Sequence, residues 1–134
     1  MQNPSLGKTA LGLDNNIGAL ICYVGNLVCA LGLIYSIIVL VTDKVNKLPR
    51  FHAMQSILLT AANLLIVMPG YLIASGMFLV NSTVTTLLGS LIMLVMVVIG
   101  LGLFVLMIIS AIKAFNGEIY KIPLIGNFAD NWSN

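Results

Sequence analysis

Two long stretches of the chain are almost entirely apolar, and they determine the elements that the sequence predicts. Asn15–Thr42 and Phe51–Ile112 contain no Asp, Glu, Lys or Arg. A helix that crosses a membrane needs about 20 apolar residues, so the first stretch predicts one crossing and the second predicts two. The polar, turn-prone cluster Asn81–Thr86 divides the second stretch. The predicted spans are about 17–41, 51–80 and 84–112.

The second predicted span contains a helix-breaking pair, Pro69-Gly70. Proline removes a backbone donor and clashes with the preceding turn, so the pair kinks a helix or ends it. The sequence leaves two possibilities open. Residues 69–80 either complete the span beyond a kink or form a short re-entrant piece.

The third span is expected to end near Lys113 and Gly117, because a lysine suits the negative end of a helix and glycine is a natural C-terminal cap. The tail over 113–134 follows, with aromatic residues spaced like anchors at a membrane surface. We expect it to lie along the cytoplasmic surface.

Composition agrees with this pattern. Of the 134 residues, 60% are hydrophobic and 7% are charged, whereas a soluble domain has about 25% charged residues. The sequence therefore predicts an all-α integral membrane helical bundle, a single domain over 1–134 with about three transmembrane helices. The net charge of +2 is too small and too scattered for nucleic-acid binding. Membrane lipids and other membrane protein subunits are the expected partners.

Basic residues suggest an orientation, because loops rich in Lys and Arg stay in the cytoplasm. Lys44, Lys47 and Arg50 lie between the first two spans, and Lys113 and Lys121 follow the third. With three spans, the N-terminus is then outside and the C-terminus cytoplasmic. The apolar first stretch is too long for a removable signal peptide, and a bacterial inner membrane is the simplest location.

One face of the first span consists of small residues at helical spacing. Helices in membranes associate through small side chains that let their backbones approach closely. We therefore expect this small-residue stripe to pack on protein, with the opposite aliphatic face toward lipid. Whether the stripe meets the chain's own helices or another protein is left open. Its members are Gly18, Cys22, Gly25, Cys29, Gly32 and Ser36.

One face of the second span is polar. Unpaired polar groups are costly in lipid, so this polar arc should face the protein interior or a partner. Interhelical hydrogen bonding is the favoured interpretation, and a lining for water or substrate is the alternative. The arc consists of His52, Gln55, Ser56, Thr60 and Asn63.

The segment KLPRFHAMQS, residues 47–56, places the only arginine and the only histidine at the start of the second span. A helix N-terminus disfavours cations, so an anion should offset the charge. We expect a cytoplasmic clamp in which Arg50 pairs with Glu118 or Asp130, while His52 and Gln55 bind backbone carbonyls of the tail. Lipid phosphate is the alternative partner of Arg50.

No catalytic, cofactor or metal site can be assembled from the sequence. The four acids lie outside the predicted spans, there is one histidine, and Gly7–Thr9 lacks the glycine that a phosphate-binding loop requires. Cys22 and Cys29 are two turns apart, too far for a disulfide. We expect a protein that is not an enzyme.

Three stretches together carry a family resemblance: LGLDNNIGALICYV, KLPRFHAMQSILL and IKAFNGEIYKIPLIGNFAD. The chain resembles the Tic-twenty-like small membrane proteins of bacteria, which are related to a component of the chloroplast inner-envelope import machinery. That resemblance implies a helical membrane fold and a membrane location. The expected function is an accessory or structural subunit of a larger membrane complex. The alternatives are a protein- or solute-conducting component and a small lipid-binding or stress-response membrane protein.

Overall fold

The computed structural model describes residues 7–28, 31–80 and 82–133, and their regular structure is helical. Within these ranges there is no β-strand, only an isolated bridge between Lys8 and Asp14. The predicted all-α class is confirmed. Two helices, Lys47–Leu79 and Thr83–Phe115, are long and apolar enough to cross a membrane. The most apolar part of the second contains no buried residue, so it is not the core helix of a soluble protein.

The first apolar stretch is not one helix, and the continuous span predicted over 17–41 needs correction. Helix α1 covers Asn15–Val24, a 3₁₀ turn covers Gly25–Leu27, and helix α2 covers Leu31–Thr42. The two helices fold back on one another as a hairpin. The physical reason is close backbone approach, since a Cβ on Gly25 would lie 2.7 Å from the Cα of Gly32.

The second apolar stretch forms one long helical run, and its crossing of a membrane stays a prediction. Helix α3 covers Lys47–Ala62, a π-helical segment covers Asn63–Val67, and helix α4 covers Met68–Leu79. The expected irregularity at Pro69 takes the form of this wider turn, in which the Met68 amide donates to the Asn63 carbonyl. A π-turn accommodates the proline without ending the helix. Residues 69–79 therefore continue the span and form no separate re-entrant piece.

Helix α5 covers Thr83–Phe115 and ends where the sequence predicts. Gly117 has a φ of 75°, the left-handed conformation that glycine adopts without strain. Its amide donates to Ala114 O at 3.0 Å, and the Glu118 amide donates to Lys113 O at 2.9 Å. This pair of bonds is the Schellman arrangement that caps a helix C-terminus.

The tail runs back without regular structure and then forms a short helix, α6, over Ile125–Trp132. Leu124 precedes it with a φ of 69°, in a tight turn closed by the Ile125 amide and the Pro123 carbonyl at 2.9 Å. Phe128 and Trp132 are exposed on α6, with ring centroids 6.1 Å apart. These rings match the expected surface anchors, and their placement at a membrane interface stays a prediction.

The chain divides into two compact units, and the single membrane domain expected over 1–134 stays a prediction. The tail-bearing unit consists of the described residues within 1–60 and 106–134, and contains α1, α2, most of α3, the end of α5 and the tail. The turn unit is Ala61–Val105. It contains α4, the greater part of α5 and the connection between them, and it packs through Gly70 against Met96 and through Gly89 against Ala74.

Candidate functional site

The polar residues at the start of α3 converge on the tail. His52 is fully buried, and its Nε2 lies 2.9 Å from the Glu118 carbonyl oxygen. A carbonyl can only accept, so Nε2 carries the proton and donates. Nδ1 is then the acceptor of the neutral ring, and it takes a hydrogen bond from the Tyr23 hydroxyl at 2.9 Å. His52 therefore links α1 to the tail.

Gln55 makes the densest set of contacts in the site. Its Nε2 donates to Tyr23 Oη at 3.0 Å and to the Tyr120 carbonyl at 3.1 Å, and lies 3.3 Å from Ser110 Oγ. Its Oε1 accepts from the Ile122 amide at 3.2 Å. The amide thus pairs with both a donor and an acceptor of the tail backbone, as a neighbouring β-strand would. The expected binding of His52 and Gln55 to the tail backbone matches this geometry.

Arg50 does not pair with either acid, and the predicted ion pair is wrong. Its Nε donates to the Ser133 carbonyl at 2.8 Å, and its Nη1 donates to the carbonyls of Asp43 at 2.7 Å and Leu40 at 3.2 Å. The carbonyls at the end of α2 lack helical partners, so they supply the negative potential that the sequence argument assigned to a carboxylate. Tyr23, Arg50, His52 and Gln55 together form what we call the tail clamp.

The two acids of the expected clamp bind lysines instead. Asp130 lies 2.7 Å from Lys121 Nζ and 3.2 Å from Lys47 Nζ. Hydrogen bonds from Lys121 and Lys47 lower the pKa of the Asp130 carboxyl. Glu118 pairs with Lys113 at 2.8 Å in an exposed ion pair. Lys47 and Asp130 therefore do tie α3 to α6, through a lysine that the sequence argument did not select.

The remaining members of the polar arc divide into two groups. Ser56 is buried and donates to the Cys22 carbonyl at 2.6 Å, and Asn26 donates to Ser56 Oγ at 2.9 Å and to Thr60 Oγ1 at 3.2 Å. Asn63 is exposed at the start of the π-helical segment. Asn63 therefore does not face the protein interior in this structure, and its contact with a partner stays a prediction.

The small-residue stripe lies inside the α1–α2 hairpin. Gly18 lies against Thr9 and Tyr35, Cys22 is buried with Val39 and Ala53, and Ser36 donates to the Gly32 carbonyl at 2.6 Å. Cys29 falls outside the described residues. Of the two partners left open, the structure places the described members against the chain's own second helix, where Gly25 meets Gly32.

Several residues of the site were missed by sequence reasoning. Tyr23 bridges His52 and Gln55, and a hydroxyl inside an apolar stretch is a sign that a polar partner exists. Asp43 is 2% exposed, and its carboxylate accepts from the amides of Ala10, Val45 and Asn46. An Asp just before a helix is a common turn and cap residue, so its position before α3 could have indicated this role.

Most bonds of the tail clamp go to backbone. Arg50, His52 and Gln55 contact backbone carbonyls or an amide, and Tyr23 contacts the side chains of His52 and Gln55. The described residues contain no group of three His, Cys, Asp or Glu side chains that could hold a metal ion. The tail-bearing unit also has an open apolar groove of about 400 Å³, lined by residues of α1 and α5 that include Leu20, Val24, Ile108 and Phe115.

The helices and this site define a small all-α membrane protein with a polar junction at the start of its first long span. Residues 14–129 match the model of the MamF/MmsF family, described as a magnetosome magnetite crystal formation protein family. Because the match covers most of the chain, this protein belongs to that family.

Two relatives from the archaeon Methanocaldococcus jannaschii are also similar. The UPF0132 membrane protein MJ1443 is 31% identical over 128 residues, covering 96% of each chain. The UPF0132 membrane protein MJ1527 is 32% identical over 124 residues, covering 92% of this chain and 73% of its own. No solved structure matches the chain.

The comparisons correct the resemblance proposed from the sequence. They place the chain in the MamF/MmsF family and beside archaeal membrane proteins, and nothing in them points to a Tic-twenty-like family. The three stretches that suggested the resemblance include the helix cap at Gly117 and the tail clamp. Those features meet the packing needs of this fold and do not identify an import protein.

Proposed function

We propose that this protein is a non-enzymatic structural subunit of a membrane assembly. The single observation that carries the proposal is the tail clamp. Three buried or half-buried side chains, those of Arg50, His52 and Gln55, hold the tail through three backbone carbonyls and the Ile122 amide. Because these bonds involve the backbone, the clamp fixes the course of the tail and leaves the tail's side chains free for other contacts.

The side chains that the clamped tail displays support the proposal. Leu124 is 83% exposed, and Phe128 and Trp132 are also largely exposed. Aromatic side chains on a rigid element are good anchors for a protein partner or a membrane surface. A tail whose course is fixed loses little conformational entropy when a partner binds.

Conduction of a protein or solute is the alternative that the sequence left open, and no observation favours it. The buried residues of the polar arc that would line a path are bonded to α1 and to the tail. The family description, magnetite crystal formation, is not carried over to this chain, because the relatives that match nearly all of it are described only as membrane proteins. A bacterial cytoplasmic membrane is part of the proposal only, because both of these relatives are archaeal and do not establish a bacterial location.

The test compares variants extracted from native membrane with a mild detergent. Gln55→Leu removes the central clamp amide, and Asn63→Leu is the matched control because Asn63 is exposed. Native electrophoresis with quantitative mass spectrometry should show wild type and Asn63→Leu with the same partner at fixed stoichiometry, and Gln55→Leu without it. A wild type that migrates alone, or a homo-oligomer that makes vesicles leak, would contradict the proposal.

A further inference from the structure

The lengths of α1 and α2 are half of what a membrane crossing requires. They contain 10 and 12 residues, which correspond to about 15 and 18 Å of helix. The hydrocarbon core of a bilayer is about 30 Å thick. Neither helix crosses it, and a hairpin of the two enters and returns from about the middle.

The hairpin turn is fixed by backbone contact. A Cβ on Gly25 would lie 2.7 Å from the backbone of Gly32, and one on Gly32 would lie 2.5 Å from the Asn26 amide nitrogen. Asn26 also donates to Ser56 and Thr60 on α3. Thr60 lies 13 residues beyond Lys47, about 20 Å along the helix, so the turn sits at mid-membrane depth if α3 starts at the membrane surface.

Both ends of the hairpin lie together. The loop before α1 contacts the loop after α2, through Ala10 N to the Asp43 carboxylate at 3.3 Å and Asn46 Nδ2 to the Lys8 carbonyl at 3.0 Å. Asn16 donates to the Phe115 carbonyl at 3.1 Å, which brings in the end of α5. The predicted outside N-terminus and cytoplasmic C-terminus therefore do not fit the hairpin, since the segment before α1 lies beside the start of the tail.

The large side chains that the structure describes around the turn are apolar and uncovered. Leu27, Val28, Leu31 and Ile34 are each more than half exposed, and Asn15–Thr42 contains no charged residue. Exposure of such an apolar surface to water is unfavourable, whereas contact with lipid chains is not. The hairpin is also continuous in sequence with α3, which belongs to a helix long and apolar enough to span the membrane.

We infer that α1 and α2 form a re-entrant hairpin that inserts into a single leaflet, the one on the tail side, with acyl chains of that leaflet as its partner. Two helices, each about 10 Å wide, then occupy area in one leaflet without crossing the other. The hairpin expands that leaflet, so the protein favours membranes that are convex on the tail side.

The sidedness is tested by single cysteines in a chain made cysteine-free by Cys22→Ala and Cys29→Ala, labelled in sealed vesicles with an impermeant maleimide. Lys8→Cys, Val45→Cys and Asn127→Cys are at exposed positions of the tail-bearing unit. Ser82→Cys lies between the two spans and is the matched control. We expect the first three to share one labelled fraction and Ser82→Cys to give the complementary fraction. Labelling of Lys8→Cys from the side opposite to Val45→Cys would overturn the inference.

The curvature preference is tested by reconstituting Val45→Cys into small and large vesicles of the same lipids. The fraction labelled before detergent is compared with the total labelled after it. We expect the tail-outside fraction to rise from large to small vesicles, because the outer leaflet of a small vesicle is strongly convex. An equal fraction in both sizes would show that the hairpin does not bias curvature, and a fall would show the opposite bias.

Discussion

The tail-bearing unit and the turn unit are held together by different interactions. In the tail-bearing unit, side chains bond across large sequence separations, from Tyr23 with His52, 29 residues apart, to Asn16 with Phe115, 99 residues apart. Among the described residues of the turn unit, side-chain hydrogen bonds reach only backbone carbonyls three to five residues earlier. Its helices meet through glycine, alanine and methionine.

The difference shows what each kind of contact can specify inside a membrane. Exchanging lipid for an apolar side chain gains little, so the turn unit relies on close packing of small residues. Polar groups have few suitable partners in lipid, so the polar junction of the tail-bearing unit admits a single pairing. The unit with the unusual hairpin and the clamped tail is also the unit that contains the long-range polar bonds.

The largest effect is expected for glycine in the hairpin. Gly32→Ala should lower the free energy of unfolding by about 2 to 3 kcal/mol, because the new Cβ meets backbone that cannot move away. Gly70→Ala in the turn unit should cost about 1 kcal/mol, since Met96 is flexible. Gly102→Ala is the control, with open space around it, and should gain up to about 1 kcal/mol. Unfolding in mixed micelles followed by circular dichroism measures all three variants. Equal losses of unfolding free energy in Gly32→Ala and Gly70→Ala would contradict the difference between the two units.

The next effect is expected for the clamp amide. Gln55→Leu should cost about 2 to 3 kcal/mol, because it leaves the Ile122 amide and the Tyr120 carbonyl without that partner. Asn63→Leu, on the same helical run but exposed, should change stability by less than about 0.5 kcal/mol. Hydrogen exchange at the Ile122 amide should accelerate in Gln55→Leu alone. Protection of that amide in the variant would contradict the clamp.

A smaller effect is expected for the arginine. Arg50→Lys should cost about 1 to 2 kcal/mol, because an ammonium cannot reach three carbonyls in the geometry of the guanidinium fork. The double change Arg50→Glu with Glu118→Arg should not restore stability, since Arg50 contacts neither Glu118 nor Asp130 and both acids pair with lysines. Thermal unfolding in detergent compares the single and double variants. Recovery of stability in the double variant would show that Arg50 and Glu118 do form an ion pair, which would contradict the structure.

The smallest effect is expected for pH. The folded-state pKa of Asp130 is lowered by Lys121 and Lys47, so its contribution is present above the unfolded carboxyl pKa of about 3.9. It is lost as the pH falls through the lower folded pKa. Emission of Trp132, the only tryptophan, should report the loosening of α6 during acid titration. Asp130→Asn should remove this transition, and a transition that persists in the variant would assign it to another group.

Features set by local residue types were predictable. The end of α5 follows from Lys113 and Gly117, whose chemistry acts within one turn. Binding of the tail backbone by His52 and Gln55 was also anticipated, because buried polar groups near the membrane surface need partners and the tail was the nearest source.

The hairpin was not predictable in the same way. The run of apolar residues over 15–42 is long enough for one crossing and contains no proline. The periodic stripe of small residues fits a helix packed on a neighbour equally well, and only the contact of Gly25 with Gly32 shows that the neighbour is the same stretch folded back. Arg50 was mispaired for a related reason, since helix-end carbonyls become its partners only when α2 ends beside it.

The tail clamp also imposes an order on biosynthesis. Gln55 precedes Tyr120 by 65 residues, an interval of roughly 3 to 13 s at typical rates of synthesis. α3 has been made by then, while three of the four groups that bond to Gln55, on Ser110, Tyr120 and Ile122, are synthesised after it. Tyr23, synthesised earlier, is the partner available to both His52 and Gln55 in the meantime. A chain that stops before Tyr120 keeps unmatched polar groups at the start of α3, and completion of the last residues converts that incomplete junction into the finished one.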